Sequence, residues 1–367
     1  MPFQDSPDSV LNSLIGTEIP SNLAPGVSYR IDEIVGAGAM SVAFLAQRIG
    51  PEGQCPVVLK VLRPAFVRTL GPDASLVVQK ESVALGRLNE RVPTTPFVVR
   101  LIDTGSLRMG EGRRTFEVLW IAVEYVHGGF EGTTLTERVA YSIRGIGQAF
   151  DSRRATLAIE CLAKGLSAVH DVGVIHRDIK PDNVLCCGFG LREIFKVADF
   201  GVARPNGVVA TFFGGLVGTP GYAAPEFIDP HGTTVGPWSD VFAFASVVYF
   251  LLTGEEYFPV RGVADGITRV RDPKRRSILE CPCLSRELRE RPVACSGIDA
   301  ALAHATALHP ETRPQTAEAF ASAVLAWLRS DVLRRRPIGR HGDLHAQPKV
   351  SGWTWITRHI PSADFVV

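Results

Sequence analysis

An α+β architecture in two lobes follows from three features of the 367-residue sequence. Strand-like runs cluster before residue 126, helical runs follow it, and the glycines of HGG at 127–129 form a natural hinge between them. The first lobe is expected to be a small antiparallel sheet with one main helix. The second is expected to be larger and mainly helical. The boundaries fall at 1–26 for a flexible leader, 27–126 and 127–330 for the lobes, and 331–367 for a tail of unassigned role.

Taken in order, residues 1–26 are rich in Pro, Ser and Asn and read as a leader. A strand, YRIDEIV, begins at Tyr29 and runs into GAGAM at 36–40. The match is to G-x-G-x-x-G, with Ser41 where the third glycine would fall. Alone that pattern is weak, and a helix should follow it in a dinucleotide-binding unit. Here the apolar, strand-like VAFLAQR follows. A glycine hairpin over phosphates is therefore favoured, with Gly36 and Gly38 allowing close backbone approach.

The next strand, PVVLKVL at 56–62, places Lys60 inside an apolar run. A buried ammonium needs an anion. The helical segment 75–91 offers Glu81, on the same face as Val77, Val78, Leu85 and Leu88. An ion pair that aims Lys60 at phosphates is expected. The competing reading lets Lys60 snorkel to solvent while Glu81 edges the face. Further strands are expected at 98–106 and 116–126. Helices are expected at 153–170, 241–252 and 316–330.

Residues 176–183 read HRDIKPDN, and DFG stands at 199–201. Between them, VLCC at 184–187 and IFKVA at 194–198 flank the glycine-containing turn 188–193, a hairpin signature. Such a hairpin brings Asn183 and Asp199 opposite each other at its open end. An amide oxygen and a carboxylate suit Mg²⁺, which completes its shell with water and phosphate oxygens. Asp178, beside Lys180, can accept a proton from an incoming hydroxyl. Together these groups imply phosphoryl transfer from a nucleotide. The plainer alternative is that both tripeptides merely hold turns together.

Composition narrows the classes. Hydrophobic residues make up 46% and charged residues 21%, and the net charge is +1. Neither nucleic acid nor an acidic membrane surface is indicated as a partner. No signal peptide is evident, and the longest apolar run, 241–252, is too short to span a bilayer. The seven cysteines suggest reduced thiols in the cytoplasm. Cys281, Cys283 and Cys295 would need a further ligand, such as His304 or His309, to hold a metal. The basic stretch 261–276 reads as a solvated loop face, with an acidic partner as the alternative. The arginine-rich tail after 331 reads as an extension or a docking segment.

With GTPGYAAPE at 218–226, SDVFAF at 239–244 and HPETRP at 309–314, the order of motifs over residues 29–329 resembles the Hanks-type bacterial Ser/Thr protein kinases. The resemblance implies a two-lobed protein-kinase fold with ATP between the lobes. It implies transfer of the γ-phosphoryl group to Ser or Thr hydroxyls of protein substrates. A second copy of the chain is a further candidate partner, through autophosphorylation.

Position by position, the resemblance implies that Gly36, Gly38 and Ser41 cover the phosphates. Lys60, braced by Glu81, would hold the α- and β-phosphates. Val123 falls at the gatekeeper position, and the backbone of Glu124 and Val126 would meet adenine. Asp178 is the implied base, Lys180 steadies the γ-phosphate, and Asn183 and Asp199 bind Mg²⁺. Glu226 would pair with Arg313, and Asp240 would anchor the catalytic loop. Ala43 stands where the family usually has valine, and Val58 where it has alanine. The expectation is a volume-conserving swap over the adenine ring. Lys180 and Thr219 imply Ser/Thr specificity. Thr211 is the implied activating phosphosite with Arg177 as its cationic partner, unless its apolar neighbours dock the segment without phosphate. A pseudokinase scaffold and a small-molecule phosphotransferase are the competing functions.

Overall fold

The structure, a computed structural model, describes residues 9–38, 40–70, 73–109, 115–199, 221–227, 235–260, 263–272 and 274–330. The chain divides into two units, Met1–Ser330 and Asp331–Val367. Thr211, Thr219 and the tail lie outside the described residues.

Alternating side chains build the first lobe. Six antiparallel strands run in the order β1-β2-β3-β4-β6-β5. They are β1 (Glu18–Pro20), β2 (Ser28–Ala37), β3 (Ser41–Gly50), β4 (Gly53–Leu62), β5 (Leu101–Met109) and β6 (Phe116–Glu124). On β3, Val42, Phe44 and Ala46 are buried; on β4, Val57, Leu59 and Val61 are. Both sets join Tyr29, Ile31 and Trp120 in one core on the outer face of the sheet. The opposite face carries the intervening residues. Register places Ala43 across from Lys60, Leu45 across from Val58, Val58 across from Val123 and Lys60 across from Ile121. Ala43, Val58, Lys60 and Val123 therefore share one face.

The expectation of a flexible 1–26 leader needs correction over residues 9–26. A short helix, α1 (Ser9–Asn12), and β1 precede the first expected strand. Leu11, Leu14 and Ile19 are buried in the sheet's outer core. Asp103 accepts hydrogen bonds from Ser21 Oγ (2.6 Å) and Tyr29 Oη (2.7 Å), and Ser106 N–H donates to Asn22 Oδ1 (2.9 Å). These partners are distant in sequence, so no local pattern announces them.

Two helices follow β4: α2 (Pro64–Leu70), which was not expected, and α3 (Asp73–Asn89), which carries Glu81. The strand expected at 98–106 begins at Leu101 instead. Its first residues pair across the lobes. Val197 N–H donates to Phe97 O (2.8 Å) and Val99 N–H to Val197 O (2.9 Å).

The second lobe contains α4 (Leu135–Ile146), α5 (Ser152–Asp171), α6 (Pro237–Thr253), α7 (Val263–Arg271), α8 (Arg286–Arg289), α9 (Pro292–Ala305) and α10 (Ala317–Leu328). Thr134 and Glu137 close a reciprocal capping box on α4, and Asp151 caps α5. Almost every residue of α6 is buried, as expected for an apolar helix inside a core. Strands β7 (Val184–Cys187) and β8 (Ile194–Val197) form the expected hairpin.

In the basic stretch Arg269, Arg271 and Lys274 are exposed, as expected of a solvated face, while its last two arginines fold inward. Arg275 donates to Thr306 O (2.7 Å), Arg276 pairs with Glu255, and each guanidinium lies over a ring, Phe258 and Tyr249. Among the described residues no group of three or more His, Cys, Asp or Glu is placed to hold a metal. Cys281 instead meets Tyr249 Oη at 2.9 Å, and Cys295 Sγ donates to Leu288 O at 3.1 Å. Also among the described residues, no helix is long and apolar enough to cross a membrane.

Candidate active site

The site lies where the inner face of the sheet meets the loops around β7 and β8. On the sheet side, Lys60 Nζ lies 3.0 Å from Glu81 Oε1 and 3.0 Å from Asp199 Oδ1. Glu81 is buried on α3. The ion pair expected from sequence is present, and Asp199 is an additional partner that sequence reasoning did not foresee. Burial would depress the Lys60 ammonium, but Asp199 and Glu81 hold it above its usual range. Burial raises the Glu81 carboxyl, against the pull of Lys60. The low-dielectric cleft would raise Asp199 too, but Lys60 outweighs that and leaves it below the ordinary carboxylate value.

The glycine turn sits above this cluster. Gly36 pairs with Ala43, and Gly38 N–H donates to Ser41 O (2.9 Å). Arg63 Nε donates to Gly38 O at 2.7 Å, tying the turn to the end of β4. At the other end of the cleft, Glu124 N–H donates to Arg100 O (2.9 Å), and Lys196 Nζ bonds Glu124 Oε1 (2.6 Å). Val123 and Val126 are buried beside it. The Lys196–Glu124 pair had no separate signal in the sequence.

On the loop side, Asp178 Oδ2 accepts from Lys180 Nζ (3.1 Å) and Asn183 Nδ2 (3.0 Å). Asn183 Nδ2 also bonds Asp178 O (2.8 Å). The hairpin register pairs Val184 with Val197, and Ala198 N–H donates to Asn183 O (2.9 Å). Asn183 thus faces Ala198, with Asp199 one residue beyond. The expected direct opposition of Asn183 and Asp199 is corrected by that single step, because the turn centres between residues 190 and 191.

Asp240, fully buried at the start of α6, holds the loop from beneath. It accepts from His176 N–H (2.8 Å), Arg177 N–H (2.8 Å) and His170 Nε2 (2.8 Å). Arg177 is thereby kept at φ 69°, a left-handed conformation that few non-glycine residues adopt. Burial pushes His176 down, keeping it neutral. Its Nδ1 accepts from Asp178 N–H (3.3 Å), so Nε2 carries the proton shared with Ala198 O (3.0 Å). His170 and His176 were the links that sequence reasoning missed. A histidine on the buried side of α5 was the only hint of the first.

Further down, Arg313 forms two parallel bonds to Glu226 (2.8 and 3.0 Å), and Ser239 Oγ donates to Glu226 Oε1 (2.6 Å). The Glu226–Arg313 pairing matches the expectation from sequence.

Residues 29–325 match the protein kinase domain family. The chain belongs to that family. Similar proteins include the probable serine/threonine-protein kinase PkwA of Thermomonospora curvata, 32% identical over 303 residues, 82% of this chain and 34% of that one. The serine/threonine-protein kinase PknB of Mycolicibacterium smegmatis is 31% identical over 83% of this chain and 42% of its own length. This kinase-family chain spans between 34% and 49% of the length of the first such relatives. Its fold is similar to the crystal structure of the Mycobacterium tuberculosis PknI kinase domain. That likeness has a TM-score of 0.56 at 24% identity, over 84% of this chain and 99% of that one. The kinase-family fold is thus the two-lobed α+β arrangement expected from sequence.

Proposed function

We propose that the chain is an ATP-dependent Ser/Thr protein kinase that transfers the γ-phosphoryl group of Mg·ATP to Ser or Thr hydroxyls of proteins. The observation that carries this reading is Lys60 held 3.0 Å from both Glu81 and Asp199 while Asp178, Lys180 and Asn183 converge nearby. In the proposed roles, Lys60 uses its remaining N–H to hold the α- and β-phosphates. Gly36, Gly38 and Ser41 form the turn that covers them, the glycines letting the backbone approach closely. The backbone of Glu124 and Val126 binds adenine below Val123, with Ala43 and Val58 above the ring.

The donor set fits a hard divalent cation. Asn183 spends its Nδ2 on Asp178, which leaves its amide oxygen as the remaining donor atom. Asp199 spends Oδ1 on Lys60, and its side chain is 53% exposed. Two oxygen donors with room for water and phosphate suit Mg²⁺. When bound, the ion would offset phosphate charge and orient the terminal group. Asp178 accepts the proton of the acceptor hydroxyl, a role worth roughly 10²–10⁴ in rate. Lys180, 3.1 Å away, neutralises charge between base and γ-phosphate.

We also propose Thr211 as a regulatory phosphosite with Arg177 as the cationic partner of its phosphate, and Thr219 as a contributor to Ser/Thr choice. Autophosphorylation between two copies follows if Thr211 is modified by the chain itself. All seven cysteines are free thiols, which suits the cytoplasm. The deciding experiment is incubation with radiolabelled ATP, Mg²⁺ and a Ser/Thr peptide mixture. The wild type should transfer label and Asp178→Asn should fall at least a hundredfold. Equal signal from both would refute catalysis by this site, and phosphosite mapping of the same samples tests Thr211.

A further inference from the structure

The hairpin of β2 and β3 runs past the end of the strand beside it. Ser41, the first residue of β3, pairs with Leu62, the last residue of β4. The glycine turn that precedes Ser41 therefore lies beyond the β3–β4 ladder. Glycines there widen the range of conformations open to the chain, and fixing the backbone of each residue costs about 1–2 kcal/mol. The turn is nevertheless tied down, and one side chain outside the sequence motifs supplies the tie.

Arg63 follows Leu62 directly. Its N–H donates to Met40 O (2.9 Å), which carries the β4 pairing one step further. Its Nε donates to Gly38 O (2.7 Å). Gly38 N–H meanwhile closes the hairpin on Ser41 O (2.9 Å). Two carbonyls of the turn, two residues apart, are thus held by a single residue. A carbonyl oxygen turned on a phosphate would repel it, and these two are engaged elsewhere. The planar guanidinium suits this task, because its N–H groups keep a rigid fork, whereas an ammonium swings on a flexible stem.

Arg63 is itself fixed from its other side. Its carbonyl accepts from Val67 N–H (3.0 Å), and Pro64, with its constrained φ, opens α2. Phe66 roots that short helix in the main core, at 6% exposure. Lys60 stands three residues before Arg63, on β4. One stretch of chain therefore carries both the cation that meets the phosphates and the support of the turn above them.

We propose that Arg63 is a positioning residue for the nucleotide: by latching Gly38 and Met40 it holds the glycine turn ready over the phosphates, in step with Lys60. This rests on the kinase reading above and adds a residue to it. A turn already ordered gives up less conformational freedom when the phosphates arrive.

The test compares the full-length wild type with Arg63→Ala and Arg63→Lys. Hydrogen exchange read by mass spectrometry without nucleotide should show amides within 36–45 exchanging at least fivefold faster in both variants, with the β7–β8 hairpin unchanged. In calorimetry the Kd for Mg·AMP-PNP should rise at least fivefold in both, while the Kd for adenosine, which has no phosphate, changes less than twofold. Unchanged exchange in Arg63→Ala would overturn the latch. Wild-type affinity for Mg·AMP-PNP in Arg63→Lys would show that charge alone suffices and overturn it too. Equal losses for adenosine would reduce Arg63 to a stabiliser of the lobe and overturn its role toward phosphate. A wild type that binds neither ligand would remove the kinase reading and this inference with it. A wild type that binds both, beside an Arg63→Ala variant that binds Mg·AMP-PNP equally well, would remove this inference alone.

Discussion

Two non-glycine residues at the site, Arg177 (φ 69°) and Asp199 (φ 58°), occupy the left-handed region. Each such conformation costs on the order of 1–3 kcal/mol and persists only where neighbours over-determine it. Asp240 fixes the first through the Arg177 N–H, and Lys60 grips the side chain of the second. Burial alone would raise Asp240, but His170, His176 and the Arg177 N–H hold its carboxyl below the ordinary range. A depressed folded-state value means its contribution is complete above about pH 4 and drains away as the pH falls further. Asp240→Asn should therefore melt well below wild type at pH 7, with the gap narrowing between pH 4 and pH 3. Thermal melts across that range would contradict the assignment if the gap stayed constant.

Ala43 and Val58 lie diagonally across β3 and β4 on the face that carries Lys60. A small residue at one position and a larger one at the other keep their summed volume. Ala43→Val breaks that balance, and overpacking of this kind costs about 1–3 kcal/mol. The KM for ATP should rise at least fivefold with kcat changed less. An unchanged or lower KM would remove the compensated swap from the account.

Among elements, the hairpin β7–β8 was the most legible from sequence. Two apolar runs and glycines between them define it without reference to the rest of the chain. The α3 face was legible for the same reason, since Val78, Glu81, Leu85 and Leu88 recur at helical spacing and all four are buried. The segment 9–20 was not, because α1 and β1 are four and three residues long. Their burial depends on β2 and β5, which local spacing cannot reveal. Leu14 is only 3% exposed in that packing. Leu14→Ala should cost about 2–5 kcal/mol in chemical denaturation, the range for a large-to-small change in a core. A loss under about 0.5 kcal/mol would show that the segment unfolds separately from the sheet.

At the scale of the whole molecule, the lobes are joined by backbone as well as by the hinge. Phe97 and Val99 pair with Val197, and Arg91 donates to Ala168 O at 2.8 Å. A Cβ at Gly165 would stand 2.7 Å from Phe97 O, so a glycine in α5 is needed for that close approach. The Glu226–Arg313 pair ties the described end of the 218–226 motif to the helical lobe. Arg313→Met would strand a buried carboxylate and should destabilise by about 3–5 kcal/mol. Adding Glu226→Gln should recover part of that loss in urea unfolding. No recovery would mean that Arg313 acts through its bonds to Ala307 O and Leu308 O instead.

The sequence by itself settled what neighbours along the chain can settle. HRDIKPDN, the hairpin and the helix bearing Glu81 each fit within one window of residues, where spacing and turn chemistry leave few alternatives. Tertiary structure alone decided that Lys60 would also reach Asp199, that Asp240 would bridge His170 to the catalytic loop, and that Leu11 and Leu14 would close the outer core. Those pairings join segments far apart in the chain. Their stability comes from faces that become complementary only once every element is in place.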